Sequence, residues 1–210
     1  MSYSGRLITV EGVDGAGKTT LVAALAVALK ERQLPVRVLR EPGGVQTSER
    51  IRELVKDPEL LVGARAEALL YAAARAQLVE EAVRPALAAG EWVLLDRFTD
   101  SSLAYQGAGR ELGIESIRLL NRFATGDLQP VRTLLLMLSP EQARARTNGR
   151  TEAPDRLERE SDDFFQKIAA AYRELAAAEP ERIRLIDAAC PPADLLSQAL
   201  LGLTDLIPHS

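Results

Sequence analysis

Cysteine and histidine are almost missing from this 210-residue chain; each occurs once. A lone Cys190 excludes an internal disulfide and a thiolate metal cluster, and is expected as a small buried or half-buried residue. A lone His209, next to last, excludes a histidine-based triad or zinc site and reads as a solvated tail residue. Aromatic residues make up only 4%, so any that falls near a candidate site carries weight. Lysine is scarce too: Lys18, Lys30, Lys56 and Lys167 stand alone, and arginine supplies the rest of the 26 basic residues. Arginine suits bidentate phosphate recognition. A high-GC genome gives the same bias, so each arginine is judged by its position. No apolar run has the length of a membrane span, and Arg6 interrupts any signal-like opening, so no membrane association is expected. A net charge of −4 argues against general nucleic-acid binding.

What is present describes an ordinary globular chain, 47% hydrophobic and 27% charged, of a length expected for one domain. Leu7, Ile8, Thr9 and Val10 read as a buried strand. Gly12, Gly15 and Gly17 break it, and Leu21, Val22, Leu25, Ala26 and Leu29 then recur at helical spacing. The string from Gly12 to Thr19 fits G-x-x-x-x-G-K-[ST] between a strand and a helix, the context a P-loop requires. Glycines let several backbone N–H groups point at one anion. The following helix adds its N-terminal dipole. Lys18 offers a mobile charge to β/γ-phosphates and Thr19 a hydroxyl to Mg²⁺. A nucleoside triphosphate with Mg²⁺ is therefore expected in this turn.

The rest of the chain alternates. Strands are expected at 6–11, 35–39, 92–96, 132–138 and 182–187. Helices are expected at 17–32, 47–56, 63–89 with a kink at Pro85, 100–107, 114–124, behind Ser139-Pro140, 157–178 and 192–206. Five strands alternating with helices predict an α/β fold, a three-layer sandwich around a parallel sheet. Ligands of such sheets bind at the carboxyl ends of the strands. That rule brings Glu11, the P-loop, "REPGG" at 40–44 and "DRF" at 96–98 to one rim.

Each rim motif has a chemical reading and a plainer one. Asp96 directly after an apolar strand is placed to reach Mg²⁺ or its waters, or else caps a turn. Arg97 beside it faces the same cleft with a phosphate-matching fork. "REPGG" is a rigid turn in which Glu41 faces the rim, or a surface turn. Tyr71 and Arg75 share one helix face; they either stack and edge-bond a base or are a core tyrosine and a surface arginine. The polar, arginine-rich stretch from 144 onward has the composition of a mobile loop, one that closes over a phosphate or merely links two helices.

Together "EGVDGAGKTT" at 11–20, "REPGG" at 40–44, "DRFTDSSLAYQG" at 96–107 and "DRLERE" at 155–160 resemble the thymidylate kinase (dTMP kinase) family, bacterial type, over nearly the whole chain. The P-loop alone is shared by many NTPases; "REPGG" with "DRF…SLAYQG" is much more specific. The resemblance implies a P-loop fold with a lid at about 144–156, ATP and dTMP as substrates, Mg²⁺, a cytoplasmic location and a homodimer, with the helix at 63–89 as a plausible interface. It puts ATP on Gly12, Val13, Asp14, Gly15, Ala16, Gly17, Lys18, Thr19 and Thr20. It puts Mg²⁺ near Thr19, Asp96 and Glu41. Arg52 and Arg97 would hold the dTMP phosphate, Tyr71 would stack on thymine, and Arg75 and Ser102 would meet its edge. Pro42, Tyr105 and Gln106 would line the same pocket, with Tyr105 disfavouring a ribose 2′-hydroxyl. Asp14 would sit near the sugar and acceptor. The catalytic set implied is Lys18, Asp14, Arg97 and a lid arginine, Arg150 by preference over Arg144, Arg146 and Arg156. A GTPase switch would carry N/T-K-x-D after a later strand, and the chain has no such string.

Overall fold

The computed structural model describes residues 4–147 and 155–208. Five strands, β1 (Arg6–Gly12), β2 (Val36–Arg40), β3 (Trp92–Asp96), β4 (Arg132–Met137) and β5 (Ile183–Asp187), form one sheet in the order β2-β3-β1-β4-β5. Every pairing is parallel, as the alternating pattern predicts. Alternate residues point to opposite faces of a strand. Ile8, Val10, Leu94, Leu134 and Leu136 therefore pack with Leu21, Leu25 and Leu29 of α1 (Lys18–Glu31) and with Leu195 and Ala199 of α9 (Pro192–Leu201). Leu7, Val93 and Leu95 face the other way, onto Leu78, Val83, Leu87 and Phe98. Leu135 and Ile183 meet Ile168, Tyr172 and Leu175 of α8 (Asp162–Ala178) on that same side. Burial on both faces is why these strands read as continuous apolar runs. Edge strand β2 is only half covered. Cys190 is half-buried against the first of these clusters.

Three helix boundaries differ from the sequence reading. The expected helix at 63–89 is α3 (Ala64–Leu78), a π-helical turn at Val79–Val83, and α4 (Arg84–Ala88). Pro85 has no N–H for the carbonyl four residues back and its ring crowds that carbonyl. The widened turn before it accommodates both. The expected helix at 157–178 starts at Asp162. Asp155 Oδ1 takes the N–H groups of Leu157 and Glu158, which holds a turn there. Ser161 then caps the helix, its Oγ accepting from Phe164 N at 3.3 Å. The last helix stops at Leu201, ahead of Gly202. The remaining elements are α2 (Gln46–Lys56), α5 (Thr99–Ser102), a second π-helical stretch at Leu103–Gly109, α6 (Ile114–Thr125) and α7 (Pro140–Thr147).

The parallel register lines up the strand ends. Val10 and Arg40 both pair with Asp96. Glu11, Gly12, Glu41 and Arg97 therefore follow at one rim.

Candidate active site

The turn after β1 owes its shape to its glycines. Gly12 has φ 135° and Gly17 has φ 93°, backbone that side chains rarely adopt. A Cβ on Gly12 would stand 2.5 Å from the Leu136 carbonyl oxygen. Gly17 leads directly into α1, so the helix N-terminus opens onto the turn. Lys18 folds back over it: Nζ donates to Val13 O at 2.9 Å and lies 3.9 Å from Asp14. Burial, with the nearby Arg97 cation, draws the Lys18 ammonium down to about 8. Thr19 Oγ1 donates to Asp96 Oδ2 at 2.8 Å. Ala16 is fully buried in the core behind the loop.

Arg97 occupies a left-handed conformation, φ 70°. Such strain costs about 1–3 kcal/mol and persists where surrounding contacts over-determine it. They do so here. Its N–H binds Val10 O at 3.0 Å. Its guanidinium donates to Gly12 O at 3.1 Å, Ser101 Oγ at 3.1 Å and Asp14 Oδ1 at 2.8 Å, and stacks 5.0 Å above the Tyr105 ring. Burial alone would raise the Asp14 carboxyl; Arg97 and then Lys18 outweigh it and hold the group well below the usual carboxylate range.

The Glu41–Pro42 peptide is cis. Arg52 of α2 donates Nη1 to Pro42 O at 2.9 Å. Glu41 and Arg75 form a buried pair at 2.7 Å. Burial raises the Glu41 carboxyl and Arg75 opposes the rise. Arg75 places Nε on Glu41, Nη1 on Ser102 and Asn121, and Nη2 on the Phe98 carbonyl and Glu41. Four hydrogen bonds and the ion pair with Glu41 thereby occupy its guanidinium within the protein. A direct bond from Arg75 to a ligand would require one of these to be shared. Glu41 Oε1, by contrast, is buried with no partner among the described residues.

These groups border one cleft of 410 Å³. At one end are Gly15, Gly17, Lys18, Thr19, Thr20 and Asp96. At the other are Pro42, Arg52, Tyr71, Arg75, Ser102, Tyr105 and Gln106, with Asp14, Glu41 and Arg97 also in its wall. Gly12, Val13 and Ala16 stand behind it. Among the described lid arginines, Arg144 pairs with Asp162. Arg146 reaches Ala188 O at 2.8 Å and Gly15 O at 3.4 Å. Arg156 is bound to Glu67 at 2.7 Å and to Val55 O at 3.0 Å. Arg150 lies outside the described residues, as does His209.

Several residues that shape the site have no role in the sequence reading. Glu11, fully buried, accepts from Phe98 N at 2.7 Å, Ser101 Oγ at 2.5 Å and Tyr172 at 3.2 Å. It anchors the turn that presents Arg97. Burial, helped by the charge of Asp100, lifts its carboxyl to about 7. Asn121 holds Arg75 at 2.6 Å and Glu67 holds Gln106 at 2.9 Å. Glu67, Tyr71 and Arg75 recur every four residues, a stripe visible in the sequence. Asn121 sits on the buried face of α6 with Ile117, Ala124 and Thr125.

Oxygen donors of the Thr19, Asp96 and Glu41 kind suit a hard divalent cation that keeps water and takes other ligands from phosphate. With Thr19 and Asp96 in contact and Glu41 Oε1 unpartnered, these residues fit Mg²⁺. An anion cradle at one end and an aromatic wall with arginines at the other suit a nucleotide donor and a small phosphorylated acceptor. The family model described as thymidylate kinase matches residues 10–199. A thymidylate kinase of Halorhodospira halophila is 46% identical over 210 residues, covering 99% of this chain and 98% of its own. One of Bordetella pertussis is 47% identical over 191 residues, covering 91% and 90%. One of Chromobacterium violaceum is 44% identical over 203 residues, covering 97% and 95%. The P-loop-like strand–turn–helix and the likeness running the length of these relatives agree: the chain belongs to the thymidylate kinase family, enzymes that phosphorylate dTMP to dTDP.

Proposed function

We propose that this protein transfers the γ-phosphoryl group of ATP to the 5′-phosphate of dTMP, giving dTDP and ADP on the route to dTTP. The observation that carries the reading is the single cleft: the phosphate cradle of Gly15–Thr20 and the Arg97–Tyr71 wall open into the same space. Two anionic substrates repel, so positioning and charge neutralisation do most of the work of phosphoryl transfer. Lys18 and the N-terminus of α1 hold the β/γ-phosphates. Thr19, Asp96 and Glu41 would hold Mg²⁺, which when bound would neutralise charge on the β- and γ-phosphates. Arg97 and Arg52 hold the dTMP phosphate, with Asp14 orienting Arg97 and Lys18 toward it. Thymine stacks on Tyr71, and its edge meets Ser102, Gln106 and Arg75, the last sharing a donor now given to Ser102. Tyr105, packed under Arg97, would disfavour a ribose 2′-hydroxyl. The acceptor phosphate is already ionised at neutral pH, so no general base is assigned.

The lid at 144–156 supplies an arginine to the transferring group. Arg150 is the preferred candidate, with Arg144, Arg146 and Arg156 as the alternatives. The chain works as one domain in the cytoplasm, without nucleic acid or membrane. It acts as a homodimer, for which the support is a set of exposed apolar side chains on α2, α3 and α6.

Coupled ADP release with Mg-ATP tests the reading, with dTMP, dUMP, UMP, dCMP, dAMP and dGMP offered as acceptors. Strong turnover with dTMP, and at most weak turnover with dUMP, is expected. Turnover with a purine or cytosine acceptor, or equal hydrolysis with none, would overturn it.

A further inference from the structure

Glu67 lies one helical turn before Tyr71 and two before Arg75 on α3. It is fully buried, yet it is a junction rather than a packing residue. Oε1 accepts from Gln106 Nε2 at 2.9 Å. Oε2 takes Arg110 Nη2 at 2.9 Å and Arg156 Nη1 at 2.7 Å. A carboxylate that serves two guanidinium groups only accepts hydrogen bonds. The Gln106 amide must then turn its NH₂ toward Glu67, because the reverse orientation would set two oxygens against each other. Gln106 borders the cleft beside Tyr71 and Ser102. The end of its amide left for a ligand is the carbonyl oxygen, an acceptor.

We propose that Glu67 is a positioning residue that sets the polarity of the base pocket. By holding Gln106 Nε2 it leaves the Gln106 carbonyl to accept the N3–H of thymine or uracil. Cytosine presents a lone pair at N3, so two acceptors would face each other in a desolvated pocket. The discrimination is thus set by a residue that never touches the substrate. The inference rests on the reading above that the base lies against Tyr71.

The test is steady-state kinetics with dTMP, dUMP and dCMP on the wild type, Glu67→Gln, Glu67→Asp, Gln106→Met and the Glu67→Gln/Gln106→Met double variant. Glutamine at 67 both donates and accepts, so the Gln106 amide is free to flip. The ratio of kcat/KM for dTMP over dCMP is expected to fall about tenfold or more, mainly through KM. Values for dTMP and dUMP should move together, and the KM for ATP should stay put. On the Gln106→Met background, Glu67→Gln should change the ratio no further, since the two act through one contact. Glu67→Asp keeps the charge at shorter reach. It should shift the ratio the same way by less, and it carries the test if Glu67→Gln does not fold. An unchanged ratio in both Glu67 variants, or an equal loss of kcat for every acceptor, overturns the proposal. Gln106→Met separates the two layers. If it leaves the KM for dTMP unmoved, the base does not lie where the proposed function puts it. If it raises that KM while the Glu67 variants keep the ratio, only the role of Glu67 fails.

Discussion

Lys18 is a cation that the fold makes easier to neutralise. Burial and the neighbouring Arg97 draw its pKa from 10.5 to about 8. The native state therefore binds fewer protons than the unfolded chain between those values. Its contribution to stability is unfavourable below about 8 and improves as pH rises toward 10.5. The proposed role of Lys18 at the ATP phosphates runs the other way, because it needs the charge. The pH profile of kcat/KM for ATP reports the free enzyme and should fall as pH rises through about 8. The profile of kcat reports the complex, where phosphate oxygens beside Nζ favour the ammonium, so it should stay flat to higher pH. Lys18→Met should cost about 10²–10³-fold in kcat/KM and remove the descending limb. A kcat/KM profile that is level from neutral to alkaline pH would sink this assignment.

Among the elements, the β1–α1 turn is the least replaceable. Gly12 combines a left-handed φ with backbone contact to β4, so Gly12→Ala must both strain the turn and push Leu136 away. A loss of about 2 kcal/mol or more is expected, read as a fall of about 4–8 °C in Tm. Gly63, the N-cap of α3, has φ −66° and no described atom within 4 Å of the point a Cβ would occupy, so Gly63→Ala adds no strain; the gain from a stiffer unfolded chain and the loss of a better cap residue offset each other to within about 1 kcal/mol. Equal Tm changes in the two variants would contradict this account. The same turn shows why so much was legible in the sequence. Glycine spacing, an apolar strand before it and an apolar stripe after it are local signals, and they suffice to place the strand–turn–helix. The sheet was legible for a similar reason: buried parallel strands are short apolar runs with helical patterns between them. The π-helical turn at Val79–Val83 was not, since apolar spacing continues across it while the hydrogen-bond register changes. Nor was the start of α8, where a side chain of Asp155 competes for backbone N–H groups. In the site, motifs placed Arg97, Tyr71 and Glu41 on one cleft. They said nothing of partners that meet only in the fold, such as Tyr172 reaching Glu11 across 161 positions, or of Arg75 having its donors spent on its own neighbours.

At the scale of the whole molecule, the outer faces of three helices stand out. Leu54 of α2, Leu69 of α3, and Leu119 and Phe123 of α6 are all exposed, as is Leu61 in the loop between α2 and α3. Phe123 is 89% exposed and Leu61 fully so. Scattered single apolar residues are ordinary; a set of large ones on helices that pack side by side is where the proposed homodimer would form. α2 packs on α3 and α3 on α6. The same helices carry Arg52, Tyr71, Arg75 and Asn121 on their inner sides. Covering this surface with a second copy, through an interface the two share, would brace the cleft wall that carries Tyr71 and Arg75. Phe123→Glu places a carboxylate on the patch, at a residue that does not line the cleft. On a free surface such a change is worth within about ±0.5 kcal/mol. At an interface it should convert a dimer to a monomer in sedimentation at micromolar concentration and remove any dependence of Tm on protein concentration. The KM for dTMP should rise while the KM for ATP, set by the turn on the other side of the cleft, holds. A wild-type protein that sediments as a monomer, or a Phe123→Glu variant that remains a dimer, would show that this face has another use.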